Sequence, residues 1–292
     1  MRALGAALAW LLTTILLTVG IPAIWAAQHL VDRGGYAALS RTAAANPELQ
    51  AAAAQELTAQ ARRLGYTADP AVLAGVAAAY TGSPSFPAQF AAANALAHRW
   101  LFEGAPESLG GPAIDFAPLL SDPAFAQTLR DMGAGDVALP ATLPVPVSDT
   151  APSLLRPEAL RQVAVWSPGV SVALVALTVA SALLTLLLIP NRGKAVAVLG
   201  VSALLAGAVG WVSAAWVEAR TADALSGASA DMRRIVDVMV TTATDSAHRW
   251  LIVTVIVGAG LVAVGVVVSL LAGLASAGRK ASGAKTNSTA RP

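Results

Sequence analysis

The chain has no cysteine, and only three histidines and three lysines in 292 residues. The missing thiol excludes disulfides, thiol catalysis and cysteine-bound metals, and so few imidazoles would make any metal centre depend on carboxylates. Charge is scarce too: 12% of residues are charged and 56% hydrophobic, whereas soluble domains carry about 25% charged residues. With a mean hydropathy of +0.64, this is the composition of a membrane protein. No glycine-rich loop that could cradle a phosphate occurs anywhere.

Four stretches lack any ionisable residue: Ala3 to Ala27, Val170 to Ile189, Ala195 to Val217 and Leu251 to Ala277. Each can cross a bilayer, which takes about 20 apolar residues. The first outruns the roughly 7–15 apolar residues of a secretory signal core, and Trp25-Ala26-Ala27 is a poor cleavage site. It reads as an uncleaved anchor, with Pro22 expected to bend its outer end. Ionisable groups at mid-membrane mark proton relays and substrate paths, and these spans contain none.

The flanking charges set an orientation. With the N-terminus in the cytoplasm, the inner segments hold Arg2, Arg192, Lys194, Arg279, Lys280, Lys285 and Arg291, and no acidic residue. The other side then carries all 17 acidic residues and 12 arginines, a net −5. This is the positive-inside asymmetry, and it accounts for a pI near 9.3 without nucleic acid. The cytoplasmic pieces are too short for a kinase or nucleotide-binding domain.

The expected fold class is mostly α: four transmembrane helices with a mainly α-helical extracytoplasmic domain and a second extracytoplasmic helical hairpin. In order, the chain reads as a cytoplasmic N-terminus and first span (1–27), the extracytoplasmic domain (28–169) and the second span (170–189). A cytoplasmic turn (190–194), the third span (195–217), the hairpin (218–250), the fourth span (251–277) and a basic cytoplasmic tail (278–292) follow.

Asn46-Pro47, Asp69-Pro70 and Asp122-Pro123 each place a capping side chain before a proline, a helix start. The first of these helices should close at Gly65 after Arg62 and Arg63, and the third at Gly133. Prolines 140, 144 and 146 forbid a helix interior and a central strand, so that region reads as extended and edge-like, leading to a short amphipathic segment from Pro157 to Trp166. In the hairpin, with Gly227 as its break, Met232, Ile235, Val236, Met239, Val240 and Ala243 form an apolar face that needs a cover. Small residues recur every fourth position in span three (Ser202, Ala206, Gly210, Ala214) and span four (Gly265, Ser269, Gly273, Ala277), a pattern for close helix packing within the chain or with a partner.

All three histidines fall on the extracytoplasmic side. His29 follows the first span with Asp32 three residues on, and His248 precedes the fourth with Asp245 three residues before it. On a helix each pair shares a face. The four could converge on a divalent metal or an acid/base group, or could be ordinary interfacial polar residues; the spacing matches no established metal motif. His98 sits one turn after Asn94 and reads as half of a buried polar pair, with Trp100 beside it as core.

The stretch Ser83 to His98 resembles a family of four-span actinobacterial membrane proteins of unknown function. Their external domain carries a pattern like S-x-x-F-x-x-x-W-x-x-A-N-R-x-A-H. The matching positions are Ser83, Phe86, Phe90 (in place of tryptophan), Ala93, Asn94, Ala97 and His98; Ala95 departs from the arginine. The upstream GGYAALSRTAAANPELQAAAAQELTAQ is also similar to that family's entry into the external domain. The resemblance implies the architecture and a cell-envelope setting, with Phe86, Phe90, Asn94 and His98 as the family-like motif, and supplies no reaction.

These readings favour a non-enzymatic scaffold or accessory subunit of a bacterial cell-envelope system in the plasma membrane, with both termini cytoplasmic. Its partners would be the lipid bilayer and a membrane or envelope protein, with no cofactor and no nucleic acid. The alternatives are an extracytoplasmic ligand-binding or sensing module, which would need a concave apolar pocket, and an envelope hydrolase or transferase, which would need clustered carboxylates and histidine.

Overall fold

Residues 2–63, 65, 69–104, 113–115, 123, 127, 130–131, 144–146, 160–224 and 229–288 are described by a computed structural model. Apart from one three-residue ribbon, the regular structure among them is helical. The elements are α1 (Arg2–Ala26), a π turn (Ala27–Val31), α2 (Arg33–Ala44), α3 (Pro47–Arg63), α4 (Pro70–Thr81), α5 (Phe86–Glu103), β1 (Ala113–Asp115), β2 (Pro144–Pro146), α6 (Arg161–Leu188), α7 (Arg192–Ala224) and α8 (Ala230–Ser288). The chain divides into two compact units: residues 1–24, 169–214 and 247–292 form the first, and residues 25–168 and 215–246 the second.

Length and composition make four helices able to cross a membrane, over Ala3–Val31, Arg161–Leu188, Arg192–Ser213 and Ala230–Leu274. They run past the uncharged stretches because a helix ends where capping or proline stops it, not where charge begins. No proline lies between Ala230 and Ser288, and α8 is continuous over all 59 residues. The start of the basic tail and one arm of the expected hairpin are therefore parts of a single helix. Pro22 stays inside α1, which passes into the π turn.

Hydroxyls and glycines hold the first unit together. Thr13 Oγ1 meets Ser181 Oγ at 3.0 Å, and Thr14 Oγ1 donates to Ser202 Oγ at 2.9 Å. The Trp10 indole donates to the Val198 carbonyl at 3.2 Å. Such bonds are worth about 0.6 kcal/mol each in a membrane, so they fix register more than they supply stability.

The closest packing is between α7 and α8. A Cβ added to Gly200 would lie 2.6 Å from the Gly258 carbonyl oxygen and 2.7 Å from the Val262 nitrogen. Gly193 faces Ser269 and Gly265, while Gly207 and Gly210 face Val255 and Leu251. The glycines at 193, 200 and 207 recur every seven residues, as do those at 258 and 265. That is the period of a left-handed helix pair, not the four-residue spacing read from the sequence. Gly265, Ser269 and Gly210 do serve this seam, whereas Ser202 bonds to α1 and Gly273 has open space beside it.

The second unit shows why capping residues precede its helices. Asn46 Oδ1 accepts the Glu48 N–H at 2.8 Å, and Asp69 Oδ1 accepts that of Ala71 at 2.7 Å. Each relieves an N–H that the first helical turn leaves unpaired. Arg62 and Arg63 sit in the last turn of α3, where cations favour the helix dipole, and Gly65 takes a φ of 85° just beyond. The core joins Ala43, Ala44, Leu49, Ala53 and Phe86 to Val238 of α8, with Ile235 and Met239 packed against it. Ile235 and Met239 of the expected apolar face are thus covered by α2, α3 and α5, while Met232 stays 39% exposed. At the rim, Ser229 Oγ donates to Glu56 at 2.9 Å and Arg234 approaches Glu48 at 3.9 Å; both are exposed contacts of small energy.

β1 and β2 pair antiparallel, with Ile114 opposite Val145, so prolines 144 and 146 occupy the kind of edge expected of them. Residues 123, 127, 130 and 131 are helical. The expected stop at Gly133, the break at Gly227 and the start of the 157–166 segment lie outside the described residues, and α6 takes over at Arg161.

The seam predicts a contrast. Gly200→Ala should destabilise the chain by about 1–3 kcal/mol, the usual cost of overpacking, because it meets backbone that cannot rotate away. Gly260→Ala, with nothing within 4 Å, should leave the melting temperature in detergent unchanged or slightly raised. Equal effects in the two variants would refute the seam.

Candidate functional site

Phe86, Phe90, Asn94 and His98 recur every fourth residue, so α5 stacks them along one face. That face meets α2. Phe86 lies in the core, its ring centroid 5.7 Å from that of Phe90 and edge-on to Tyr80 at 5.6 Å. One turn on, Asn94 Nδ2 donates to the Phe90 carbonyl at 2.9 Å, and its Oδ1 accepts from the Tyr36 hydroxyl at 3.3 Å.

His98 ends the row and is only 6% exposed. Its ring stacks on Phe102 at 4.2 Å and tilts against Tyr36 at 5.1 Å. Its Nε2 lies 3.0 Å from the Leu30 carbonyl oxygen; a carbonyl only accepts, so Nε2 carries the proton. The partner is therefore Leu30, not Asn94. Leu30 belongs to the π turn, where a helix end leaves carbonyls without intrahelical partners, and His98 satisfies one of them from 68 residues away. The next turn of chain fits as closely: a Cβ at Gly35 would fall on the Gln28 carbonyl. Trp100, on the same helix, is buried at 4% exposure, as the sequence suggested.

Of the four residues expected at the outer face, His29, Asp32 and His248 are engaged locally. His29 Nδ1 donates to the Trp25 carbonyl at 3.0 Å, and its ring stacks on that indole at 5.3 Å. Trp25 in turn donates to Ser246 Oγ at 3.3 Å. Asp32 does not share a helical face with His29: the π turn ends at Val31 and Asp32 is extended, capping α2 through the Gly35 N–H at 2.8 Å. Asp245 is exposed. His248 lies flat on Trp211 with centroids 4.2 Å apart, and its buried Nε2 has no partner among the described residues. Among those residues no three histidine, aspartate or glutamate side chains are grouped to hold a metal.

Among the described residues of the second unit are two open depressions. A cavity of about 470 Å³ between α3 and the start of α8 is floored by Ala51 and Ala52 and rimmed by Glu48, Asp231 and Arg234. Another of about 430 Å³ is lined by Phe102, Glu103, Arg161 and Val165. Both are open to solvent, and neither is the apolar, converging kind that encloses a small molecule. No family model, curated protein or solved structure matches the chain.

Burial raises the Tyr36 phenol above its ordinary value, partly offset by the Ser40 hydroxyl, and pushes Tyr80 up to about 12.

Two predictions follow from this geometry. His98→Ala removes a packed ring and strands the Leu30 carbonyl, and should cost about 2–4 kcal/mol, read as a lowered melting temperature; no loss would sink the assigned bond. For Tyr80, the folded state favours the neutral phenol, so its contribution is complete below about pH 10 and is lost as pH rises through about 12. Wild type should therefore lose more stability than Tyr80→Phe between about pH 9 and pH 11.5; parallel curves would exclude it.

Proposed function

We propose that the chain is a multi-pass protein of a bacterial plasma membrane, with both termini cytoplasmic and the second unit on the extracytoplasmic side. There it acts as a scaffold or accessory subunit for a membrane or envelope protein partner. The resemblance at Ser83 to His98 belongs to the same proposal and supports an actinobacterial envelope. The orientation is supported by how charge divides between the units: the first contains no acidic residue, and all 17 lie in the second. Basic residues confined to the short loops and ends on one side of the spans are what positive-inside insertion produces.

The scaffold role rests on α4. This helix carries no charged residue, yet Val72 is 58% and Val76 51% exposed, and Gly75 has nothing within 4 Å of its missing Cβ. α3 beside it shows water Glu48, Arg62 and Arg63. An uncharged helix exposed on an otherwise charged unit is the surface a protein partner would bury. The occupant we assign is an apolar helix or sheet face of an envelope protein.

The absence of native cysteine makes the orientation directly testable. A cysteine introduced at Gly75 should react with a membrane-impermeant maleimide in intact cells, and one at Gly283 only after permeabilisation; the reverse pattern would overturn the topology. Purification in mild detergent should recover a stoichiometric partner, and Val76→Glu should lose it without changing the melting temperature. A lowered melting temperature would assign the α4 face to the chain's own fold, and a clean monomer in several detergents would remove the scaffold role.

A further inference from the structure

One end of the first unit gathers cations from three of its four helices, α1, α7 and α8. α1 begins at Arg2, and a Cβ on its Gly5 would touch Leu188 at the end of α6. From Leu188 the chain turns directly into α7, whose Arg192 and Lys194 are exposed. Gly193, between them, packs on Ser269 of α8. All three lysines of the chain belong to this end, and no carboxylate does. Neither Arg192 nor Lys194 has an acidic partner among the described residues.

α8 does not stop level with that turn. It continues to Ser288, so Arg279 and Lys280 stand about 15 Å further along its axis than Ser269. Between these two levels α8 exposes Leu270, Leu271 and Leu274, at 63%, 61% and 71%. The Arg192/Lys194 level thus adjoins an exposed apolar surface of α8. The hydrocarbon core is about 30 Å thick and the headgroup layers add several ångströms on each side. With a phosphate at the Arg192/Lys194 level, the acyl chain would run toward the hydrocarbon core along α8, where Val266 and Val267 are 46% and 54% exposed.

We propose that this end is a binding site for anionic phospholipid headgroups, with Arg192 and Lys194 as its inner cations. A single negative phosphodiester with an acyl tail satisfies both features; a zwitterionic lipid satisfies only the tail, and a free phosphate only the charge. Basic residues at such a surface are worth about fivefold in affinity each. The site depends on the four membrane helices, not on the scaffold role or the orientation.

The test uses the full chain in neutral detergent, titrated with phosphatidylglycerol or phosphatidylcholine, with retained lipid counted by native mass spectrometry. Wild type should hold phosphatidylglycerol in preference. Arg192→Gln/Lys194→Gln should weaken that binding about thirtyfold, and Arg192→Lys/Lys194→Arg should keep it, which separates lost charge from lost folding. Arg62→Gln/Arg63→Gln, which removes two charges from the second unit, should have no effect. Equal retention of the two lipids, an unaffected glutamine variant or an equal loss in the Arg62/Arg63 control would each overturn the proposal. Displacement of the lipid by matching concentrations of inorganic phosphate would overturn it in favour of a free-anion site.

Discussion

Hydrocarbon rejects a carboxylate, and most of this molecule follows from that. An ionised side chain at the bilayer centre costs several kcal/mol, so a membrane unit keeps its charges at its ends. Here the membrane-like unit has no acidic residue at all. With charge unavailable, its helices must associate through shape and hydroxyls. The glycines at 193, 200, 207, 258 and 265 let α7 and α8 touch backbone to backbone. The Thr13–Ser181 and Thr14–Ser202 contacts tie α1 to two other helices with groups small enough to be inserted. The same exclusion leaves the second unit every carboxylate the chain has, including the one that caps α2 and the one that caps α4.

The second unit is held by a different balance. Its core is poor in large side chains: five of its six buried members are alanine, leucine or valine from α2, α3 and α8, beside a single phenylalanine. Alanine brings helices close but buries little area, so aromatic rings must supply much of the rest. Tyr80, Phe86 and Phe90 form one run of ring contacts, and Tyr36, His98 and Phe102 form another. Between the two runs, Asn94 joins α5 to α2 through the Tyr36 hydroxyl. The polar members of the motif are bonded to main-chain carbonyls and to the Tyr36 hydroxyl, so they hold α5 against α2 and the π turn.

What was legible in the sequence was whatever is local. Asn46-Pro47 and Asp69-Pro70 announced α3 and α4 because cap and proline act within one turn. The Phe86 to His98 face was visible as a period along a single helix, and the four apolar helices as long uncharged runs. Non-local facts were not. Small residues every fourth position looked like the packing stripe, but the seam repeats every seven, since two helices that coil about each other meet at 3.5 residues per turn. His98 was matched to its neighbour Asn94, while its true partner lies 68 residues back. The His29–Asp32 pairing assumed a continuous helix, which the π turn and the Asp32 cap interrupt.

The three histidines show where function should and should not be sought. His98 and His29 each donate to a main-chain carbonyl, so a role in acid/base chemistry would require breaking a bond that stabilises a helix end. His248 keeps a buried nitrogen without a partner among the described residues, and its ring is fixed against Trp211; among those residues no group of histidine and carboxylates assembles around it. The groups left free to meet other molecules are of another kind: the uncharged surface of α4 and the cations around Arg192. One is suited to a protein and the other to a phospholipid. Two of the imidazoles are thus tied up in helix ends, while α4 and the Arg192 turn expose surface that binding can use.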